Sequence, residues 1–185
     1  MSIGPGRSLG AFWTLPGEHA AIPLDRIGDY PLLAESLEVW RRHAGDGLPA
    51  TIDPLMFPRA AIRGLNLFER EPVSGDWRVR VVGSLVTDHV GEELRGTGLV
   101  ENFSDADRKV VRAALDAAAS RRSPDLLRRH WLDPRSVRWA YVRLYLPLSS
   151  DGAVVDRFAT VIDPDSFGRA PETGEASIGS DPGGR

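Results

Sequence analysis

The chain has 185 residues, 42% hydrophobic and 26% charged, close to globular averages, which excludes wholesale disorder, collagen-like repeats and a coiled coil and leaves one ordinary core. It has no cysteine, so disulfides, thiolate zinc sites, iron-sulfur clusters and cysteine nucleophiles are ruled out. Its net charge of −3 gives no whole-molecule field for nucleic acid or anionic lipid, and with Lys109 as the one lysine Schiff-base chemistry has almost no candidate.

No apolar run reaches the roughly 18 residues a membrane helix needs, and MSIGPGRSLG lacks the apolar stretch of a secretory signal, so a cytoplasmic protein with no membrane or nucleic-acid partner is expected. Residues Met1 to Gly28 mix Gly, Pro and scattered apolar residues without a period and read as a partly flexible arm. From Asp29 to Ala44, Leu33, Leu37, Trp40 and Ala44 fall at helical spacing, with Arg41, Arg42 and His43 near the C-terminal end of the dipole and Gly45 as the stop. Ala61 to Glu69 and Trp77 to Val82 follow as extended runs joined by EPVSGD turn chemistry, a hairpin. Gly83 to Gly98 is broken by glycines, with one helical stretch at Leu85 to Val90.

Ser104 and Asp107 resemble a capping box ahead of an apolar stripe of Val110, Val111, Ala114, Leu115 and Ala118 that ends near Arg122. Leu126 to Leu132, Val137 to Leu148 and Ala153 to Ile162 read as three further strands, the last two joined by SSDG. Past Asp163 the chain is rich in Gly, Pro, Ser and acid, and residues 164–185 read as a disordered tail. Residues 29–163 are therefore expected to form one α+β domain, a five-stranded antiparallel sheet with helices on one face.

The candidate chemistry is sparse. His19, His43, His89 and His130 fall in four different segments, so no metal site is expected. His89, in the irregular linker, suits haem ligation or proton transfer, with a solvated surface histidine as the plainer reading. No nucleophile elbow or phosphate loop is present, and Gly91, Gly96 and Gly98 fit tight turns better. Between Arg121 and Arg138 six arginines and His130 are interleaved with Trp131. A single-stranded nucleic-acid or anion surface would look like this, but strand alternation with the charges in solvent and Leu126, Leu127 and Leu132 inward explains it more simply. No catalytic set converges, so no enzymatic activity is expected, and no cofactor is assigned; a base at Asp88 or His89 is the weakest alternative.

The run Val137 to Leu148 is the most informative. Ala140, Val142, Leu144, Leu146 and Leu148 make an aliphatic core face, and Trp139, Tyr141, Arg143 and Tyr145 make a second face too large and amphipathic to be left in water. The stripe of Leu33, Leu37 and Trp40 is a matching cover, either within the chain or across a dimer.

Four motifs in order carry a resemblance: LEVWRRHAGDGLPATIDP, DWRVRVVGS, GEELRG and YLPLSSDGAVVD, spanning about Leu37 to Asp163. The segment resembles the PAS-like domain family of small bacterial proteins, common in alphaproteobacteria. The resemblance implies a PAS fold, with a sheet in the order 2-1-5-4-3 and helices on one face, and a sensory or protein-interaction role, with output through a homodimer or a partner protein. Arg80 matches the family's strand arginine, either as an ion pair on the sheet or as a hold on an anionic ligand. A small-molecule receptor is the alternative, its ligand contacted by Arg80, His89, Val142 and Leu144 between sheet and helices. Members often carry glutamate where Val142 stands, so no polar contact carries over to that position.

Overall fold

Period-two alternation of large apolar residues dominates the second half of the chain and builds a single antiparallel sheet. The computed structural model describes residues 18–91, 93–98, 105–133 and 136–170, with 105–111 described by backbone alone. Its elements are β1 (Glu18–Ile22), α1 (Pro31–Ala44), β2 (Leu65–Arg70), β3 (Trp77–Val81), α2 (Ser84–Val90), α3 (Asp105–Arg121), β4 (Asp125–Leu132), β5 (Arg138–Leu148), β6 (Arg157–Ile162) and β7 (Gly168–Arg169), with 3-10 turns at Leu24–Asp29, Pro54–Met56, Arg59–Gly64 and Pro164–Ser166. The strands lie in the order β1-β4-β5-β6-β2-β3, and β7 pairs with the start of β5.

The α+β class is as expected, but the sheet has seven strands rather than five. The two additions come from the segments read as arm and tail. Glu18–Ile22 pairs antiparallel with Ile22 opposite Leu126 and Glu18 opposite His130, and residues 164–170 form a turn and β7. The remainder of arm and tail, and the expected cap at Ser104, lie outside the described residues. Ala61–Gly64 is a 3-10 turn rather than strand. Ala153 and Val154 are held out of β6 by Asp151, whose carboxylate accepts from both backbone N–H groups at 2.8 and 2.9 Å.

Helices cover both faces of the sheet, α2 and α3 one and the N-terminal helix α1 the other. Leu33, Leu37 and Trp40 of α1 pack with Leu126, Val142, Leu144, Leu146, Leu148, Ala159 and Val161 in an aliphatic core, and Trp40 Nε1 donates to Pro147 O at 2.8 Å. The opposite core gathers Val86 of α2 and Leu115, Ala118 and Ala119 of α3 with Phe68, Trp77, Val79, Trp131, Tyr141, Tyr145 and Phe158. Side-chain size accounts for the division: alanines let α3 approach a floor of rings, whereas the leucine stripe of α1 interdigitates with a flat aliphatic one. Arg70 of β2 ties α3 down through Asp116 at 3.1 Å.

The chain enters α2 through a close crossing. A Cβ on Gly83 would stand 2.2 Å from Arg63 O, and one on Gly64 would stand 2.1 Å from Ile162 O, so glycine is required at both positions. The buried Asn66 pins the crossing, donating to Gly64 O at 2.9 Å and accepting from Gly83 N at 3.2 Å.

Candidate functional site

The face beneath α2 and α3 concentrates the polar and aromatic side chains of the interior. Alternation along β5 sends Trp139, Tyr141, Arg143 and Tyr145 to it. The register of β4 sets Trp131 opposite Trp139, Arg129 opposite Tyr141 and Leu127 opposite Arg143. On the far side β6 sets Thr160 opposite Tyr145 and Ile162 opposite Arg143, and β1 adds His19 opposite Arg129. The turn at Pro164–Ser166 delivers one more ring. Ser166 Oγ accepts from Val142 N at 2.8 Å and Asp163 N donates to Val142 O at 2.9 Å, which brings Phe167 parallel to Tyr141 with centroids 6.0 Å apart.

His89 of α2 stands edge-on to three rings, Trp139 at 4.5 Å, Phe167 at 5.2 Å and Trp131 at 5.8 Å. These rings close one end of the face. Its middle holds two buried arginines, Arg129 at 3% and Arg143 at 7% exposure. The Arg143 guanidinium lies 4.8 Å from the Tyr141 centroid and 5.6 Å from that of Tyr145, and Nη1 donates to Tyr145 Oη at 3.2 Å. Its Nε has no hydrogen-bond acceptor. Among the described residues no carboxylate forms an ion pair with Arg143. Arg129 lies 5.5 Å from the Trp131 centroid and shares a hydrogen bond with Tyr141.

The neighbouring groups register this concentration of positive charge. Burial alone would raise the Tyr141 phenol, yet Arg143 and then Arg129 outweigh it and hold the group below the usual phenol range. Arg143 is held more firmly protonated: burial works against the cation, and the oxygens of Tyr141 and Tyr145 overcome it. The His19 ring, although the residue is exposed along the sheet edge, is pulled down to about 4 by desolvation, then by Arg129 and Arg143. Buried positive charge flanked by rings, with a donor unmatched, suits an anion better than a proton-transfer reaction.

The residues singled out from the sequence do not meet at one place. Arg80 is exposed and ion-paired to Glu69 on the sheet surface. Val142 and Leu144 belong to the aliphatic core beneath α1, across the sheet from His89. Of the four proposed ligand contacts His89 alone reaches the arginine-lined face, because a one-residue step along a strand changes face. The proposed pairing of Leu33, Leu37 and Trp40 with Trp139, Tyr141, Arg143 and Tyr145 is likewise replaced: α1 takes the opposite face, and α2 and α3 cover the aromatic one. Nor do all the arginines between Arg121 and Arg138 lie in solvent. Arg129 and Trp131 are buried, and Leu132 is exposed.

Thr160, Phe167 and His19 are members that the sequence reading missed, and Arg129 and Trp131 lie in the arginine run that it placed in solvent. Antiparallel pairing of β4 with β5 could have placed Arg129, since a close hairpin sets the two strands' alternating faces in common. Phe167 carries no such signal, because it is delivered by a turn from beyond the expected domain end. Among the described residues no group of three or more His, Asp and Glu side chains could hold a metal ion, and no helix is long and apolar enough to cross a membrane.

No protein-family model matches the chain, and no curated protein matches it. Among solved structures, the chain is similar to that of an RNA-binding light-oxygen-voltage receptor at 10% sequence identity and a TM-score of 0.37, over 79% of this chain and 37% of the receptor's. The chain thus spans little more than a third of that receptor's length.

Proposed function

We propose that the chain is a cytoplasmic PAS-type sensory module without enzymatic activity, which takes a small molecule against the arginine and aromatic face and passes the change to a second copy or a partner protein. The observation that carries this reading is the strand path. With β1 and β7 set aside, the strands in chain order lie second, first, fifth, fourth, third, and the helices between the second and third cover one face of them. That is the arrangement the PAS fold calls for, and four sequence motifs point to it independently. The buried Arg143, with no carboxylate partner among the described residues, supports a receptor over a purely structural domain, because a desolvated cation without a counter-ion is costly to keep. A ligand moves such a module only by binding one of its states better than another.

The test is native mass spectrometry of gently purified full chain, followed by hydrogen exchange and light scattering with and without the molecule it releases. A mass excess whose removal changes exchange in β1 or α1, or changes the solution mass, is the expected result. Identical exchange and mass in the two samples would overturn the sensory reading.

A further inference from the structure

The middle of the buried face is chemically incomplete in a specific way. A guanidinium binds a carboxylate best through its Nε and Nη2 edge, two parallel N–H donors matching two oxygens. In Arg143 the other side of the fork is taken by Tyr145, through Nη1 at 3.2 Å, while Nε has no acceptor. One strand away, Thr160 is fully buried and in register with Tyr145, and its Oγ1 is also without a hydrogen-bond partner. Native interiors leave few such groups unmatched. Two lie on neighbouring strands of one face, and the nearby rings of Tyr141, Tyr145 and Trp131 offer apolar surface.

We infer that Arg143 anchors a binding site for a small organic carboxylate, held by two parallel hydrogen bonds on its Nε and Nη2 edge, with the tyrosines beside it receiving the ligand's apolar body. Thr160 Oγ1 is the further donor on that face. A carboxylate matches the planar fork and the single additional hydroxyl. A phosphate would call for more donors, of the kind a glycine-rich loop or helix N-terminus supplies, and among the described residues neither is placed against Arg143. Both buried arginines favour an anion, and the lowered Tyr141 reports the same local field. Electrostatic attraction in a water-poor interior is strong enough to discriminate a carboxylate from its neutral amide.

The inference deepens the sensory reading and rests on it only in taking the carboxylate to be the signal. Its test is a thermal-unfolding and tryptophan-fluorescence titration of the full chain with formate, acetate and benzoate, against chloride at matched ionic strength, with benzamide as the neutral counterpart and inorganic phosphate as the other anion. The carboxylates are expected to raise the unfolding midpoint saturably, benzoate most, by roughly 5–11 °C at a hundredfold excess over its dissociation constant. Benzamide is expected to leave it unchanged. Arg143→Met is expected to weaken benzoate at least tenfold, with Arg143→Lys, which keeps the charge and loses the fork, in between. Saturation by none of the carboxylates, equal binding of benzamide, tighter binding of phosphate, or benzoate binding unaltered in Arg143→Met would each overturn the inference. Should Arg143→Met fail to fold, the lysine variant and the benzamide comparison decide. If carboxylates fail while a neutral molecule released from the purified chain alters exchange in β1 or α1, the sensory reading survives without this inference. If benzoate binds through Arg143 but exchange and solution mass stay unchanged, this inference stands and the sensory reading falls.

Discussion

Arg143→Met is expected to stabilise the protein in the absence of ligand. Burying the guanidinium costs several kcal/mol of lost hydration. Against that stand one charge-assisted hydrogen bond, to Tyr145 at 3.2 Å, of about 1.5–3 kcal/mol, and two cation-π contacts at 4.8 and 5.6 Å, the second close to the outer limit, of about 0.5–2 kcal/mol each. No carboxylate among the described residues adds to that side. Methionine keeps most of the aliphatic stem, removes the hydration penalty and gains roughly 1.5–3 kcal/mol from apolar burial. The balance favours the variant by about 1–2 kcal/mol, a rise of roughly 2–8 °C in the midpoint for a chain of this size. Urea unfolding of wild type, Arg143→Met, Tyr145→Phe and the double variant, read by tryptophan fluorescence, measures the quantity directly. Tyr145→Phe is expected to cost about 1–2 kcal/mol in the wild type and much less in the Arg143→Met background, where the tyrosine hydroxyl has already lost its donor. A loss of about 2 kcal/mol or more in Arg143→Met would refute the reasoning, because it would mean that the buried cation is fully compensated within the fold.

Leu37→Ala is expected to cost about 2–5 kcal/mol, because Leu37 is fully enclosed between α1 and the aliphatic face. Leu55→Ala, at a residue 84% exposed, is expected to stay within about 0.5 kcal/mol; equal effects in urea unfolding would contradict the docking of α1. Gly83→Ala drives a Cβ to 2.2 Å from Arg63 O and is expected to lower stability by about 1–3 kcal/mol, checked by the same unfolding curves. His19 and Asp151 contribute to acid stability at separate pH ranges. The His19 value of about 4 lies below the unfolded value of roughly 6.5, so its contribution is present above about pH 6.5 and is lost as the pH falls toward 4. His19→Gln is expected to flatten that part of a plot of urea midpoint against pH. Asp151, held at about 2 by the backbone N–H groups of Val154 and Ala153 and by Ser149, contributes fully above about pH 4 and loses its contribution as the pH falls through 2. Asp151→Asn is expected to remove only this lower step.

What the sequence disclosed and what it hid follow from the range of the interactions involved. The α1 stripe, the division of β5 into an aliphatic and an aromatic face, and the short helix near Leu85 are local periodicities, and each is present where the alternation or the 3.6-residue spacing put it. The choice of which helix covers which face is not local. Leu33, Leu37 and Trp40 are apolar enough to cover either face of β5, and what decides is volume: Trp131, Tyr141, Tyr145 and Phe158 are bulky, and the helix packed over them presents Ala118 and Ala119. Once α1 is committed to the aliphatic face, Val142 and Leu144 are sealed beneath it and cannot share a ligand with His89. Arg143 is then left in the interior opposite α2 and α3.

The run of arginines misled for a related reason. In DLLRRHWL two leucines and two arginines each stand side by side, so an alternating assignment buries one member of each pair whichever way the strand is turned. The structure turns it so that Leu126 faces the aliphatic core while Leu127, Arg129 and Trp131 face the rings. The other phase would bury Leu127, Arg129 and Trp131 against α1, where the described core is mainly aliphatic, with Trp40 and Phe57 its aromatic members. Arg129 instead gains a phenol hydrogen bond and an indole face. The less costly placement of Arg129 is selected, and it gathers Arg129 and Arg143 on one face. Interior positive charge is therefore a consequence of how the strand had to turn, and its retention with no carboxylate beside Arg143 among the described residues is what the proposed carboxylate answers.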